Sequence, residues 1–139
     1  PRIFLMIKYL LDTNIVIYVI KRRPPEILQT FNQHATRMAI SSVTFAELIY
    51  GAEKSQNVSQ NLEVVEEFAS HLEVLPYDEK AAQHYGEIKA ALERCGQIIG
   101  VNDLHIAAHA RSQGLILVSN NLKEFNRVPH LATENWIQN

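Results

Sequence analysis

The chain has 139 residues, of which 47% are hydrophobic and 20% charged, and its net charge is -2. That length suits one ordinary domain able to bury roughly two-thirds of its unfolded surface, and the weak negative charge excludes a globally basic nucleic-acid binder. A single cysteine, Cys95, excludes an internal disulfide and fits a reducing cytoplasm.

The opening PRIFLMIKYLL is apolar, but Lys8 and Asp12 interrupt it and no small-residue cleavage site follows, so it does not read as a secretory signal. Met6 reads as a native start and residues 1–5 as an upstream or artificial extension, and a single domain is expected over residues 6–139. Ile7 to Leu11 reads as a strand covered on both faces, and Asn14 to Ile20 as a helix ended by Lys21-Arg22-Arg23-Pro24-Pro25. Proline suits a first helical turn, which predicts a second helix from Pro25 to about Gln33. A strand over Arg37 to Ile40 is closed by Ser41-Ser42. Helical spacing of Val43, Ala46, Ile49 and Tyr50 predicts a helix to Lys54, and Leu62, Val65, Phe68 and Ala69 predict another within Asn57 to His71.

Leu72 to Leu75 reads as a strand, followed by a long helix from Asp78, its cap, to Arg94, stopped near Gly96. After the loop Gly96 to Asn102, Asp103 to Ser112 is helical and alanine-rich. Gly114 leads into Leu115-Ile116-Leu117-Val118, the strongest buried-strand run, and the mixed tail carries a short strand or turn around Trp136. Strands alternating with helices predict an α/β fold with a mainly parallel sheet. No apolar run approaches the roughly eighteen residues of a membrane span.

Ligands of such sheets bind outside the carboxyl ends of the strands. Asp12 and Ser119-Asn120-Asn121 follow strands, Glu47 lies about one turn into the helix after the second strand, and Asp103 opens a helix behind a glycine-containing loop. If these ends share one edge, three carboxylates converge. Each also has a structural explanation. Asp12 can cap a helix, Thr44-Phe45-Ala46-Glu47 matches a capping box, and Asp103 can complement a helix N-terminus. Asp12 and Glu47, however, sit in apolar sequence, where an unpaired carboxylate would cost several kcal/mol on burial; a metal ion offsets that cost better than a cap. Carboxylates and Asn amides without a thiolate cluster favour magnesium or manganese. His105 and His109, spaced i, i+4, form the zinc alternative, although Ile106 stands where the metalloprotease pattern has glutamate.

The segments LLDTNIVIYVIK, SSVTFAELIYGAEKS, GQIIGVNDLHIAAHARSQGLILVSNNLKEFNRV and ENW, in order over nearly the whole chain, resemble the PIN-domain ribonucleases, and more narrowly the VapC-like toxins of bacterial VapBC-type toxin-antitoxin pairs. That resemblance implies a three-layer α/β/α domain around a central parallel sheet and a magnesium-dependent endoribonuclease site that leaves a 5'-phosphate and a 3'-hydroxyl. Carried over, Asp12 and Asp103 are metal ligands, and Glu47 is a ligand through water or the base that orients the attacking water. The family's fourth acid falls at Asn121 here, so the site is completed by Asn121 or by the nearby Glu124. Thr13, Asn14 and Ser119 orient the carboxylates by hydrogen bonds.

RNA would be met by local cations: Lys21, Arg22 and Arg23 after the first helix, Arg111 on the site helix, and Lys123 and Arg127 in the tail, the first group having a solvated helix end as its plain alternative. The NNxxEF branch points to initiator tRNA, at its anticodon loop, as substrate. The same resemblance implies a VapB-like antitoxin whose C-terminal segment fills the active-site groove, a homodimer, a toxin-antitoxin hetero-oligomer and a cytoplasmic location. The helices of Val43 to Lys54 and Asn57 to His71 are the candidate contact surfaces. Two other readings compete: a catalytically silent PIN-like module that binds RNA or protein, and a receiver-like domain phosphorylated on Asp12. The latter lacks the lysine it needs after a late strand.

Overall fold

The computed structural model describes residues 6–137, so the proposed extension over 1–5 lies outside the described residues. Five strands form one sheet: β1 (Tyr9–Leu11), β2 (Met38–Ser41), β3 (Glu73–Leu75), β4 (Ile116–Val118) and β5 (Thr133–Glu134), in the spatial order β3-β2-β1-β4-β5. Every pairing is parallel. The central strand β1 is held on both sides, Tyr9 opposite Met38 and Ile116, and Leu11 opposite Val118. Strand order therefore reverses at β1, where the chain first builds outward through β2 and β3 and later returns to place β4 on the other side.

Among the described residues seven helices cover the sheet: α1 (Thr13–Lys21), α2 (Pro25–Gln33), α3 (Ser42–Glu53), α4 (Val58–Ala69), α5 (Glu79–Arg94), α6 (Val101–Gln113) and α7 (Leu122–Phe125). Alternation along β1 separates two cores, because successive side chains of a strand point to opposite faces. Leu10 joins Ile88, Leu104, Ile106, Leu117 and Phe125 beneath α5, α6 and α7. Tyr9 and Leu11 join Ile15, Val16, Ile27, Phe31, Val65 and Phe68 beneath α1, α2 and α4. The parallel sheet expected from alternating segments and the α/β/α layering implied by the family resemblance are both observed.

Several details differ from the sequence reading. On α3 the buried stripe is Thr44, Leu48 and Ala52; of the apolar residues whose spacing identified the helix, Val43 and Ile49 pack half-buried against the two cores, while Ala46 and Tyr50, the latter 64% exposed, face outward. The stripe at i, i+4, i+8 wins because Thr44 packs its hydroxyl against Thr13 of α1, 3.2 Å away. Asp103 does not open α6. Gly100 caps the helix and Asp103 lies in its first turn. The tail holds the unpredicted α7, pinned by the fully buried Phe125, and the last strand precedes Trp136 instead of containing it. Trp136 packs edge-on to Tyr9 and stacked on His34, so the half-buried His34 is part of the tail's packing.

The paired histidines of α6 are structural here. His105 stacks on Tyr85 and its Nδ1 lies 2.8 Å from Tyr77 Oη, while the fully buried His109 places Nδ1 2.8 Å from Ser41 Oγ. Burial depresses the basicity of both rings. This arrangement disfavours the zinc alternative, because α6 is buried round most of its circumference and the Nδ1 of each ring is engaged within the fold, although the buried His109 Nε2 has no hydrogen-bond partner among the described residues.

Candidate active site

Asp12 leaves the carboxyl end of β1 in extended backbone and caps α1, its Oδ1 accepting from the Ile15 amide at 2.8 Å. Its own amide donates to Val118 O at 3.0 Å, which ties the start of α1 to the end of β4. The crevice between β1 and β4 is the switch point of the sheet, the position at which open parallel sheets bind ligands. Ser119, the next residue after β4, is buried; its hydroxyl hydrogen-bonds the Asp12 carboxylate and accepts from the Asn121 amide at 2.9 Å.

Glu47 enters from α3 without making the capping box its spacing suggested. Ser41 caps α3, its Oγ accepting from the Val43 amide at 3.0 Å, and this leaves Glu47 free to turn toward α1 and α6. The Thr13 hydroxyl donates to Glu47 Oε1 at 2.6 Å, and Asn102 Nδ2 donates to Glu47 Oε2 at 2.8 Å. Both carboxylate oxygens are thereby held from two different helices. Asn102 was not singled out in the sequence; its one signal is that it directly precedes Asp103.

Glu124 stands on the short α7, where the buried Phe125 anchors the turn, and Asn121 Nδ2 donates to Glu124 Oε2. The two residues offered as alternatives are thus a bonded pair, the amide bracing the acid. The negative charge of Glu124 acts on Asp103, as does that of Glu47, and Asp12 feels both Asp103 and Glu47. Four carboxylates from four separate segments are thereby linked by mutual repulsion, Asp103 to both Glu47 and Glu124 and Asp12 to both Asp103 and Glu47. Asn14 is exposed on the first turn of α1 and makes no side-chain hydrogen bond to them among the described residues.

Charge is expensive in this setting. Asp12 is 3% exposed, and burial pushes its carboxyl from 3.8 up to about 6. Bonds from Ser119 and Ile15 oppose the rise, while the nearby Asp103 and Glu47 add to it. Asp103 is also pushed upward, first by burial and then by Glu124 and Glu47. Among the described residues the two ion pairs are His71 with Glu67 and Arg111 with Glu87, so no lysine or arginine neutralises the cluster. Hard oxygen donors with uncompensated negative charge are the chemistry that magnesium or manganese accepts. No three acid, imidazole or thiol groups among the described residues form a ready-made metal cage, so a cation would be held by few protein ligands and its own waters.

The predicted cations divide. Arg22, in left-handed backbone at the end of α1, is exposed, as are Arg23 and Lys123. Arg111 is withdrawn: its side chain is 8% exposed and donates to His84 Nδ1 at 2.9 Å, Pro129 O at 3.1 Å and Glu87 Oε1 at 2.7 Å. It lies eight residues beyond Asp103, about 12 Å along α6. The expectation that Arg111 meets RNA is therefore corrected, since its guanidinium braces α6 against α5 and the tail.

An open parallel sheet that gathers acids at its switch point is the architecture of the PIN domain, and the chain belongs to that family, which it matches over residues 9–131. It is a nuclease of the VapC ribonuclease branch. Ribonuclease VapC2 of Haemophilus influenzae is 64% identical over 132 residues, covering 95% of this chain and all (100%) of that protein. The tRNA(fMet)-specific endonuclease VapC of Shigella flexneri is 53% identical over 131 residues, covering 94% of this chain and 99% of the relative. The crystal structure of DNA-bound VapBC from Salmonella typhimurium superposes with a TM-score of 0.91 at 52% identity, covering 95% of this chain and 100% of that one.

Proposed function

We propose that the chain is the toxin of a toxin-antitoxin pair, a magnesium-dependent endoribonuclease that hydrolyses a phosphodiester in the anticodon loop of initiator tRNA. The observation that carries this reading is the convergence of Asp12, Glu47, Asp103 and Glu124, with no basic side chain paired to any of them. A divalent ion bound there would neutralise phosphoryl oxygens, activate water and stabilise the leaving oxygen. Asp12 and Asp103 are the residues that would hold it.

The remaining roles belong to the chain itself. Ser119 and the Ile15 amide favour the ionised form of Asp12 against its burial. Thr13 and Asn102 fix the Glu47 carboxylate in one orientation, from which it orients the attacking water and takes its proton. Asn121 braces Glu124 on the Asp103 side of the cluster. Because Asn121 supports an acid instead of replacing one, it is not a mark of decay, and the reading as a silent binding module is disfavoured. Asn102→Ala is expected to lower the cleavage rate about 10- to 100-fold, the usual effect of losing a partner that orients a ligand. Single-turnover assays would reveal it, and an unchanged rate would remove Asn102 from the site.

The substrate is inferred from the Shigella relative named as a tRNA(fMet)-specific endonuclease, and the antitoxin from the VapBC complexes of Salmonella and Rickettsia felis. A groove of about 640 Å³ between α1, α2 and α4, floored by Val19, Ile20, Leu28, Phe31 and Phe68, suits an amphipathic segment of such a partner. No helix among the described residues is long and apolar enough to cross a membrane, and the exposed free Cys95 accords with the bacterial cytoplasm, where tRNA is found.

Purified chain, freed of antitoxin and given magnesium, is expected to cut initiator tRNA within its anticodon loop, with a 5'-phosphate on the downstream fragment. Primer extension on a total tRNA pool would locate the cut. A cut in a different RNA would overturn the substrate but not the enzyme; no cleavage with magnesium or manganese would overturn both.

A further inference from the structure

The solvent face of α3 is built in a way that the fold does not explain. Tyr50 leaves 64% of its surface exposed although the helix has a buried stripe to offer, and Lys54 Nζ lies 4.8 Å from its ring centroid. Gly51 stands inside the helix with no positive φ and nothing within 4 Å of the position a Cβ would take. Glycine weakens a helix interior relative to alanine, and neither a turn nor a close neighbour in the chain calls for it. Residues 47, 50, 51 and 54 share one helical face at i, i+3, i+4 and i+7. Along it lie, in order, the site acid Glu47, an open aromatic ring, a bare stretch of backbone and a cation. Tyr50 is about 4.5 Å, and Lys54 about 10 Å, from Glu47 along the helix axis.

We propose that this face seats the unpaired RNA nucleotides beside the scissile bond. Tyr50 stacks on a base, Lys54 meets a neighbouring phosphate, and Gly51 leaves clearance for the sugar-phosphate backbone. The proposal rests on the ribonuclease reading above and deepens it. Stacking on an aromatic ring beside a cation is the usual way a protein holds single-stranded RNA, because every base has a π face and every linkage a charge. A chain of net charge -2 with four acids at its site needs such a cation near the cut. A second copy of the chain is the other occupant of an exposed tyrosine. Lysine is depleted in the cores of protein interfaces, and here it lies over the ring itself, which favours a polyanion.

The test uses Asp103→Asn protein as a non-cleaving background and a fluorescent RNA hairpin with an unpaired loop, followed by anisotropy. Adding Tyr50→Ala is expected to weaken binding about tenfold or more, whereas Tyr50→Phe and Tyr50→Trp retain it, since stacking needs a ring and no hydroxyl. Lys54→Ala is expected to weaken binding and lower the salt slope by about 0.7. Gly51→Ala should raise the melting temperature while weakening binding. In the active background Tyr50→Ala raises KM more than it lowers kcat. Unchanged affinity for Tyr50→Ala overturns the proposal, as does a change in its mass by light scattering, which would make the face a contact between copies. Cleavage by the wild type alongside either result leaves the ribonuclease reading standing; failure of the wild type to cut RNA removes that reading.

Discussion

Asp103→Asn is expected to lower RNA cleavage about 10²- to 10³-fold while leaving the fold intact and the metal-free protein at least as resistant to heat as the wild type. Under the proposed mechanism the loss follows from the several kcal/mol of transition-state charge stabilisation that a bound cation would supply, at about 1.36 kcal/mol for each tenfold in rate. The gain in heat resistance follows from the cluster itself. Asp103 is partly buried and its carboxyl is pushed up by burial and by Glu124 and Glu47, so ionised Asp103 strains the metal-free folded state. Asparagine keeps the shape without the charge. Gel-based cleavage and a thermal melt in chelator check the two halves separately. Lost activity with a lowered melting temperature would mean that Asp103 supports the fold and would leave its catalytic role unproved.

Asp12 carries the second large effect, on stability against pH. Its folded carboxyl titrates near 6, against 3.8 for the free group. Below pH 3.8 the carboxyl is protonated in folded and unfolded chains alike and costs nothing. As pH rises toward 6 the unfolded chain loses its proton first, so stability falls, and above about 6 the full penalty is in force. A shift of this size corresponds to ~3 kcal/mol, or roughly 10 °C in melting temperature for a chain of this length. Metal-free wild type is therefore expected to lose heat resistance between pH 4 and pH 7 relative to Asp12→Asn. At pH 7.5 millimolar manganese should raise the wild-type melting temperature and leave Asp12→Asn nearly unmoved. Equal stabilisation of both proteins by manganese would place the ion elsewhere.

The two predictions have one cause. Acids proposed to work through a cation are held where, without one, they repel one another and are withdrawn from water. Thr13 and Asn102 at Glu47, Ser119 at Asp12 and Asn121 at Glu124 limit that cost by hydrogen bonds.

Local signals were enough to read the alternation of strands and helices, the buried run Leu115 to Val118, and the Asp78 cap whose carboxylate accepts from the Ala81 amide at 3.0 Å. Each rests on hydrophobic period, proline, glycine or capping chemistry within a few residues. The same locality made Asp12, Glu47 and Asp103 conspicuous, as charges beside apolar runs or at a helix start. Pairing across the chain was beyond that reach. The bond from Asn102 to Glu47 spans 55 positions and that from Thr13 to Glu47 spans 34, so only the closed sheet could decide that Glu47 leaves its own capping box for them. Burial of α6 round most of its circumference turned His105 and His109 into packing residues, and the contacts of Arg111 with α5 and the tail removed it from the RNA surface. Periodicity named α3 a helix but not its innermost stripe, Thr44, Leu48 and Ala52, which contacts such as that of Thr44 with Thr13 of α1 select. Composition and spacing thus determined which residues had chemistry to offer. The tertiary structure decided which of them meet, since a hydrogen bond or a shared electric field depends on distance in space and not along the chain.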